Sequence, residues 1–253
     1  MNFRAVRGHT FLEEPLLDTS PVILDLGANR GEFSTEMSGR YGGRYYLLEA
    51  NPELAVGLPT DGPFVSLACA VAESDGRVNL NVARNDVGSS ILTLPDESIY
   101  DCTVSKTMEV PAMRLATVFD HFSLDRVDLL KMDIEGAEVQ VLSSADPRVL
   151  GRIGQISAEF HSDAVFGFGL AREVEAVIRR LRSLGFVVLD FSEGKRIDVL
   201  AVQRKVLRLS RMASTWLEFH HDPRHWLHRM RRLAPTGLRH AMGRRLEGWF
   251  RES

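Results

Sequence analysis

Along most of the chain, short apolar runs alternate with segments in which apolar residues recur at helical spacing. After a short leader, the run Val22–Leu26 stops at Gly27, and a segment with helical spacing follows from Gly31. Two more apolar runs lie at Tyr45–Glu49 and Phe64–Val71. Continuous runs of roughly four to eight apolar residues are typical of strands that are buried on both faces. The pattern predicts three such strands, with a helix between the first two.

The same alternation continues beyond a stretch of different character. Val78–Val82 has a period of two, which predicts a half-solvated antiparallel strand inserted beside the core. The later segments predict three helices, Leu115–Phe122, Glu135–Leu142 and Arg172–Leu184, which alternate with two strands, Val127–Asp133 and Ile153–Phe160. Gly185 is the expected C-cap of the last helix, because glycine readily adopts a left-handed conformation. This spacing indicates a parallel sheet with helices on both faces.

The last two apolar segments of this region, Phe186–Phe191 and Val199–Val202, are joined by a short polar turn. A crossover between parallel strands needs about a dozen residues or more, so these two strands must pair antiparallel. The sequence therefore predicts an α/β protein whose mostly parallel sheet ends in an antiparallel hairpin.

The turn after the first strand has the features of a nucleotide site. Ligands of open α/β sheets bind at the carboxyl ends of the strands, which places Asp25, Gly27 and Gly31 beside the ligand. The two glycines permit a sharp turn and close approach of the backbone, and Asp25 is expected to hydrogen-bond the ligand or to hold the loop. Glu49, at the end of the second strand, offers two carboxylate oxygens to the two hydroxyls of a ribose.

Asn29 separates two classes of nucleotide ligand. A dinucleotide site has the pattern G-x-G-x-x-G, with a second glycine where the pyrophosphate passes. Asn29 occupies that position, which argues against a nicotinamide-dependent oxidoreductase. The alternative to a ligand site is that Gly27 and Gly31 only form a turn and that Glu49 is a solvated strand end.

Four segments of the chain resemble the FkbM-type family of S-adenosylmethionine-dependent methyltransferases. They are Asp25–Gly31, Leu48–Pro52, Ala70–Gly76 and Leu130–Glu138, of which the last is the most specific. The resemblance covers about residues 20 to 205. It implies a class I methyltransferase (Rossmann-like) fold, S-adenosyl-L-methionine as cofactor, and O-methylation of a hydroxyl on a saccharide or natural-product-like small molecule.

The resemblance also implies roles for single residues. Glu49 is expected on the ribose, Ala70, Val71 and Ala72 near the adenine, and Asp133 with Glu135 at the reaction site. Asp25, Gly27, Asn29, Gly31 and Asp133 complete the predicted cofactor site. Many members carry a Ser-Asp pair after the third strand, where this chain has Ala72-Glu73. That difference argues against a side-chain contact to the adenine at this point.

Four residues near the ends of the fourth and fifth strands are the catalytic candidates. Asp133 or His161 is predicted as the general base and Glu135 as the carboxylate that orients the acceptor. Lys131 lies two residues before Asp133, hence on the same face of the strand, and a structural ion pair between them is the alternative. Glu138 is expected to anchor the loop or helix. A Mg²⁺ ion held by these carboxylates is the less favoured alternative, and no metal ligand is predicted.

Charge divides the chain into residues 1–205, predicted as the methyltransferase domain, and a tail at residues 206–253. The whole chain has a net charge of -3, yet the tail contains ten Arg, no Lys and four Asp or Glu. Apolar residues recur at helical spacing between these arginines around Trp226–Leu233 and Leu238–Phe250, which predicts two amphipathic basic helices. The tail is expected to pack on the domain or on a second subunit, or to lie on an anionic membrane. Nucleic acid is disfavoured because lysines and a binding module are missing.

The remaining composition limits the compartment and the rival functions. Cys69 and Cys102 have no zinc-type spacing, and no apolar segment is long enough to span a membrane. We therefore expect a cytoplasmic protein, with peripheral attachment to the inner face of the membrane as an option. Besides the oxidoreductase, the rival hypothesis is a non-catalytic nucleotide-binding scaffold.

Overall fold

The computed structural model describes residues 1–17, 20–83, 89–92, 104–161, 169–192, 194–207 and 211–221. These residues form strands β1 (Phe3–Val6), β2 (His9–Leu12), β3 (Val22–Leu26), β4 (Arg44–Glu49), β5 (Phe64–Ala68), β6 (Ala70–Val71), β7 (Gly76–Ala83), β8 (Val104–Met113), β9 (Val127–Met132), β10 (Ile153–Glu159), β11 (Phe186–Asp190) and β12 (Asp198–Gln203). They also form helices α1 (Glu14–Leu17), α2 (Glu32–Tyr41), α3 (Pro52–Ala55), α4 (Leu115–His121), α5 (Glu138–Ser144), α6 (Pro147–Leu150), α7 (Ala171–Ser183), α8 (Arg204–Leu207) and α9 (Arg211–His221).

A seven-stranded sheet in the order β11-β12-β10-β9-β3-β4-β5 forms the centre of the fold. The strands from β10 to β5 pair in parallel, whereas β12 is antiparallel to both of its neighbours. The predicted class I methyltransferase sheet, mostly parallel with a closing antiparallel hairpin, is confirmed. The strand order reverses between β3 and β9, which places the ends of these two strands beside the crevice where such folds bind ligands.

The central strands are apolar because both faces of the sheet are covered. Leu24 and Leu130 belong to one hydrophobic cluster, whereas their neighbours Ile23 and Leu129 belong to another. Successive side chains of a strand point to opposite faces, so one continuous apolar run supplies two cores. This arrangement explains why these strands lack the polar–apolar alternation seen at Val78–Val82.

A separate three-stranded sheet, in the order β6-β8-β7, lies between β5 and α4 in the sequence. The predicted third strand, Phe64–Val71, is in fact two strands, since β5 belongs to the central sheet and β6 to the small one. The alternating segment pairs antiparallel with β8, as the predicted insertion requires. Leu80, Val82 and Val110 form part of a small core of their own.

The leader folds as a β-hairpin, which the sequence analysis did not predict. β1 and β2 pair antiparallel around the turn Arg7-Gly8, where both residues have positive φ angles, 52° and 85°. The side-chain amide of Gln155 on β10 accepts a hydrogen bond from the Leu12 N–H at 2.8 Å and donates one to the Leu12 carbonyl at 3.1 Å. Thr10 binds the Asp198 carboxylate through both its N–H and its hydroxyl. The hairpin is thereby fixed to β10 and β12.

Two helix boundaries depart from the prediction in informative ways. The helix predicted from Glu135 begins only at Glu138, because Glu135 and Gly136 have positive φ angles of 53° and 102° that no α-helix contains. α7 runs one residue earlier than predicted at each end, and Gly185 has the positive φ, 93°, expected after a helix.

The chain divides into two compact units, Met1–Arg208 and Leu209–Ser253. In the second unit the structure describes α9, on which the Trp216 side chain is 65% exposed. The two helices predicted around Trp226–Leu233 and Leu238–Phe250 lie outside the described residues. None of the helices in the described part of the chain is both long and apolar enough to cross a bilayer.

Candidate active site

Gly27 lies where the ends of β3 and β9 come closest. Its φ is 74°, and a Cβ atom built on it would lie 1.7 Å from the carbonyl oxygen of Asp133. The Gly27 N–H donates to the Leu48 carbonyl at 2.9 Å, and the Asp133 N–H donates to the Leu26 carbonyl at 3.1 Å. A glycine is therefore required here for the packing of three strand ends, in addition to any approach of a ligand.

Asp25 faces the protein interior rather than the cleft. It is fully buried, its Oδ2 accepts a hydrogen bond from the Ser34 hydroxyl at 2.7 Å, and its Oδ1 lies 3.2 Å from the Lys131 ammonium. Lys131 also donates to the Gly27 carbonyl at 2.6 Å. Of the two roles predicted for Asp25, the geometry favours the one in which it holds the loop.

Gly31 opens α2 with a φ of 73°. A Cβ atom at this position would meet Pro59 at 2.9 Å and Leu58 at 3.2 Å. The second glycine of the turn therefore serves helix entry and close packing, and Gly31 is not among the residues that line the cleft.

Glu49 is buried at the end of β4 with both carboxylate oxygens hydrogen-bonded to backbone. Oε2 accepts from the Asn29 N–H and Oε1 from the Asn51 N–H, each at 2.8 Å. Burial raises the pKa of this carboxyl, and the two N–H donors offset part of that effect. Each oxygen retains a second lone-pair direction, so the carboxylate can still accept from two ligand hydroxyls.

A cleft of about 630 Å³ of empty space, including the part open to solvent, lies above these strand ends. Six of the residues predicted to bind the cofactor line it: Gly27, Asn29, Glu49, Ala70, Val71 and Asp133. Glu135 lines it as well, and the small sheet and the following turn add apolar walls at Leu80 and Ile91. The cleft thus combines a buried acid at one strand end with apolar surface, as a nucleoside requires.

Asp133 brings together nitrogen atoms from three different parts of the chain. Its carboxylate oxygens lie 3.7 Å from Nζ of Lys131, 3.5 Å from Nε2 of His9 and 3.7 Å from Nε2 of His161. Burial alone would raise the pKa of Asp133, but the charge of Lys131, followed by His9 and His161, outweighs burial and holds the pKa well below its ordinary value. Asp133 is therefore ionised at neutral pH and lies in the wall of the cleft.

His161 lies between two further acids at the carboxyl end of β10. Its Nε2 is 3.1 Å from Glu135 and its Nδ1 is 3.2 Å from Glu138. Burial alone would lower the pKa of His161, but Glu138 and Glu135 raise it well above the ordinary 6.5. At neutral pH His161 is an imidazolium, which has no lone pair with which to accept a proton.

Glu138 has the anchoring role that was predicted for it. The side chain is fully buried, and its two oxygens accept hydrogen bonds from the N–H groups of Ile134 at 2.8 Å and Gly136 at 3.0 Å. Across the cleft, the buried Ser90 donates its hydroxyl to the Glu135 carbonyl at 2.5 Å. The left-handed turn that carries Glu135 is held from both sides.

The match to known proteins agrees with this geometry. The Methyltransferase FkbM domain matches residues 25–188, a span that runs from Asp25 through Glu49 and Asp133 to β11. The chain belongs to the FkbM methyltransferase family. The resemblance seen in the four sequence segments is thereby confirmed.

Two curated relatives overlap this FkbM domain. Methyltransferase sdnD of Sordaria araneosa is 30% identical over an alignment of 163 positions. The match covers 51% of this chain and 62% of the relative. The AMB antimetabolite synthetase AmbE of Pseudomonas aeruginosa is 29% identical over 191 residues, or 73% of this chain and 9% of the relative. The chain therefore spans less than two thirds of the length of either protein.

Two solved structures are more distant matches. Fibrillarin from Aeropyrum pernix, in complex with S-adenosyl-L-methionine, has a TM-score of 0.42 at 16% identity, with 76% of this chain and 69% of fibrillarin covered. The complex of the Haloferax volcanii Trm112 methyltransferase activator with a methyltransferase has a TM-score of 0.38 at 12% identity, with 74% of this chain and 84% of the matched chain covered.

Side chains that can ligate metals form two groups around Asp133. His9, Asp133 and Glu159 form one such group, and Asp133, Glu135 and His161 form another. The Lys131 ammonium already lies beside Asp133, the acid that both groups share. The charges in these two groups therefore fit internal ion pairing better than Mg²⁺ coordination.

His9 and Glu159 are site residues that the sequence analysis missed. Glu159 follows the last strongly apolar positions of β10, and burial raises the pKa of its carboxyl. The sequence signal for the hairpin that carries His9 is weak, since the two short runs are separated by two residues, Arg7-Gly8, but Arg-Gly is not among the dipeptides typical of two-residue hairpins. That signal was too short to show that the hairpin reaches the end of β9.

Proposed function

We propose that this FkbM-family chain is an S-adenosyl-L-methionine-dependent O-methyltransferase that acts on a hydroxyl of a saccharide or natural-product-like small molecule. The observation that carries the proposal is the cleft itself. One wall presents Glu49, buried but with acceptor capacity left, and another presents the ionised Asp133. A ribose and a reacting hydroxyl need these two kinds of acceptor.

Glu49 would hold the ribose through its two hydroxyls, next to the backbone of Asn29. Ala70, Val71 and Ile134 line the same cleft, and their small or apolar side chains would suit a flat base. Asn29, in the left-handed conformation with a φ of 49°, occupies the turn where a pyrophosphate would require glycine. These features favour a nucleoside without a pyrophosphate over a dinucleotide.

Bound S-adenosyl-L-methionine supplies a methyl group that its sulfonium has already activated. The task of the protein is then mainly to position the acceptor oxygen in line with that methyl group. Asp133 is the stronger of the two base candidates, because His161 is already protonated. Its low pKa does not exclude this role, since the hydroxyl proton becomes strongly acidic as the oxygen–methyl bond forms, and it then passes to the Asp133 carboxylate.

Lys131, His161 and Glu135 would support this step without taking the proton. Lys131 and His161 keep the Asp133 carboxylate ionised. Glu135 lines the cleft and is fixed by His161, so it can accept a hydrogen bond from a second hydroxyl of the acceptor. Adjacent carboxylates suit an acceptor rich in hydroxyl donors, which supports a saccharide or a polyhydroxylated product.

Calorimetry and a turnover assay test the proposal on the full chain. We expect binding of S-adenosyl-L-methionine and no binding of NAD. Release of S-adenosylhomocysteine over a panel of sugars and hydroxylated natural products should identify an acceptor. Asp133→Asn should retain cofactor binding and lose turnover. Binding without turnover on any acceptor would favour the scaffold hypothesis, and binding of NAD alone would favour the oxidoreductase.

A further inference from the structure

The N-terminal hairpin is fixed to β10 and β12 by hydrogen bonds between residues that are far apart in the sequence. Gln155 binds both backbone groups of Leu12, and Asp198 binds Thr10. Leu12 and Thr10 are both buried, so these hydrogen bonds are shielded from water. The position of His9, between this pair of anchors and the turn, is therefore set by the sheet.

His9 is itself buried, with only 3% of its surface exposed. One edge of the ring packs against Phe33 of α2, with ring centroids 5.6 Å apart and planes at 82°. Its Nε2 points to Oδ2 of Asp133, 3.5 Å away. A buried polar group is normally placed by a hydrogen-bonding need, because burying it without a partner costs free energy.

The other two nitrogen neighbours of Asp133, Lys131 and His161, lie closer to other groups than to Asp133. Lys131 divides its ammonium among the Gly27 carbonyl, Asp25 and Asp133, and Asp133 is the most distant of the three. His161 lies closer to Glu135 than to Asp133. His9 makes the shortest of the three nitrogen contacts to Asp133.

We propose that His9 is a positioning residue, which holds the Asp133 carboxylate in the orientation that faces the reacting methyl group. The inference rests on the proposed function, in which Asp133 receives the acceptor proton. Besides His9, the ionisable groups close to Asp133 are Lys131 on β9, Glu135 after β9, His161 after β10 and Glu159 on β10. His9 comes from the hairpin, so the hairpin is part of the reaction site.

Two substitutions separate the polar contact of His9 from its bulk. His9→Phe keeps a ring beside Phe33 but has no N–H, whereas His9→Gln keeps an N–H donor that can reach Asp133. His9→Ala is a second variant without a donor and adds no bulk. Arg7→Gln changes the turn of the same hairpin, where Arg7 forms an exposed ion pair with Glu32, and serves as the matched control.

The first readout is the ¹³C resonance of the cofactor methyl group, measured with ¹³C-methyl S-adenosyl-L-methionine on the full chain and needing no acceptor. Asp133→Asn should move this resonance. We expect His9→Phe and His9→Ala to move it in the same direction, and His9→Gln and Arg7→Gln to leave it at the wild-type position. With an acceptor from the panel, kcat should fall roughly 10- to 100-fold in His9→Phe, while KM for the cofactor stays within about twofold.

Several outcomes would overturn the inference. If His9→Phe and His9→Ala keep the wild-type resonance while Asp133→Asn moves it, His9 does not position Asp133. If His9→Gln moves the resonance and lowers kcat as much as His9→Phe does, the role of His9 is structural. If the wild-type protein releases no heat with S-adenosyl-L-methionine, the proposed function fails and this inference fails with it, which separates that case from the other two.

Discussion

The carbonyl oxygen of Asp133 occupies the space that a Cβ atom on Gly27 would need, at a distance of only 1.7 Å. The first and fourth strands of the parallel set thus approach each other so closely that only glycine fits between their ends. The same approach places Asp133, a candidate catalytic residue, beside the turn that borders the cofactor cleft.

Gly27→Ala should therefore destabilise the protein by about 3 kcal/mol or more, because the backbone of β9 must move and the residue also has a positive φ. Denaturant unfolding measures the change. Gly39→Ala is the matched control, since Gly39 lies in α2 and an added Cβ would meet nothing within 4 Å. The free energy of unfolding of that control should rise by up to about 1 kcal/mol, because alanine has the higher helix propensity. Equal effects of the two substitutions would contradict the steric argument.

Lys131→Met should cost about 3–5 kcal/mol of unfolding free energy, because it leaves the buried Asp25 and its neighbour Asp133 without their common cation. Burial alone would lower the pKa of Lys131, yet Asp25 and Asp133 raise it, so the amine is charged in the folded protein. Arg148→Met removes a cation from an exposed pair with Asp146 and should leave the denaturation midpoint unchanged. A small decrease in unfolding free energy for Lys131→Met would show that Asp25 and Asp133 are stabilised by other groups.

Glu49→Gln should weaken binding of S-adenosyl-L-methionine roughly 10- to 100-fold, since hydrogen bonds to charged groups contribute about 1.5–3 kcal/mol. An amide has one acceptor oxygen, so it also cannot accept from both Asn29 and Asn51. Isothermal calorimetry gives the affinity. Glu53→Gln, on the neighbouring α3 and exposed, provides the control and should bind the cofactor as the wild type does. Unchanged affinity in Glu49→Gln would remove Glu49 from the cofactor site.

The raised pKa of His161 makes stability depend on pH in a defined direction. The folded state binds the imidazolium proton more tightly than the unfolded state, whose pKa is about 6.5. The stabilising contribution is therefore complete below about pH 6.5 and is lost as the pH rises toward the folded-state pKa. Wild-type protein and His161→Gln should differ most in unfolding free energy at the acidic end of this range and least at the alkaline end. Parallel pH profiles of the two proteins would refute the assignment.

The central sheet could be predicted from the sequence because its signals are local. Apolar runs such as Val22–Leu26 mark strands buried on both faces, and the short turn before Val199 leaves no room for a crossover. Glu49 could be assigned to the second strand end for the same reason. The left-handed turn at Glu135 and Gly136 could not be predicted from the sequence, because the run Ile134–Leu142 has helical spacing. Only the buried contacts of Glu138 show where the helix begins.

The parts of the site that the sequence did not predict depend on contacts between distant residues. Gln155 looks like a polar position in an apolar strand, and nothing local shows that its partner is Leu12, 143 residues earlier. The protonation state of His161 likewise depends on Glu135 and Glu138, whose distances to the ring follow from the fold. The sequence predicts Asp25 beside the turn that borders the ligand, but only the burial of its side chain shows that it faces away from the cleft.

The order of strands at the edge of the sheet determines where a shortened version of this protein can begin and end. The family match stops at residue 188, inside β11, yet β12 is inserted between β10 and β11. A fragment cut at 25–188 would contain a strand with no neighbour to pair with, and it would also lack the hairpin that Gln155 and Asp198 hold. Fragments intended to fold should therefore retain at least residues 3–203, from the start of β1 to the end of β12.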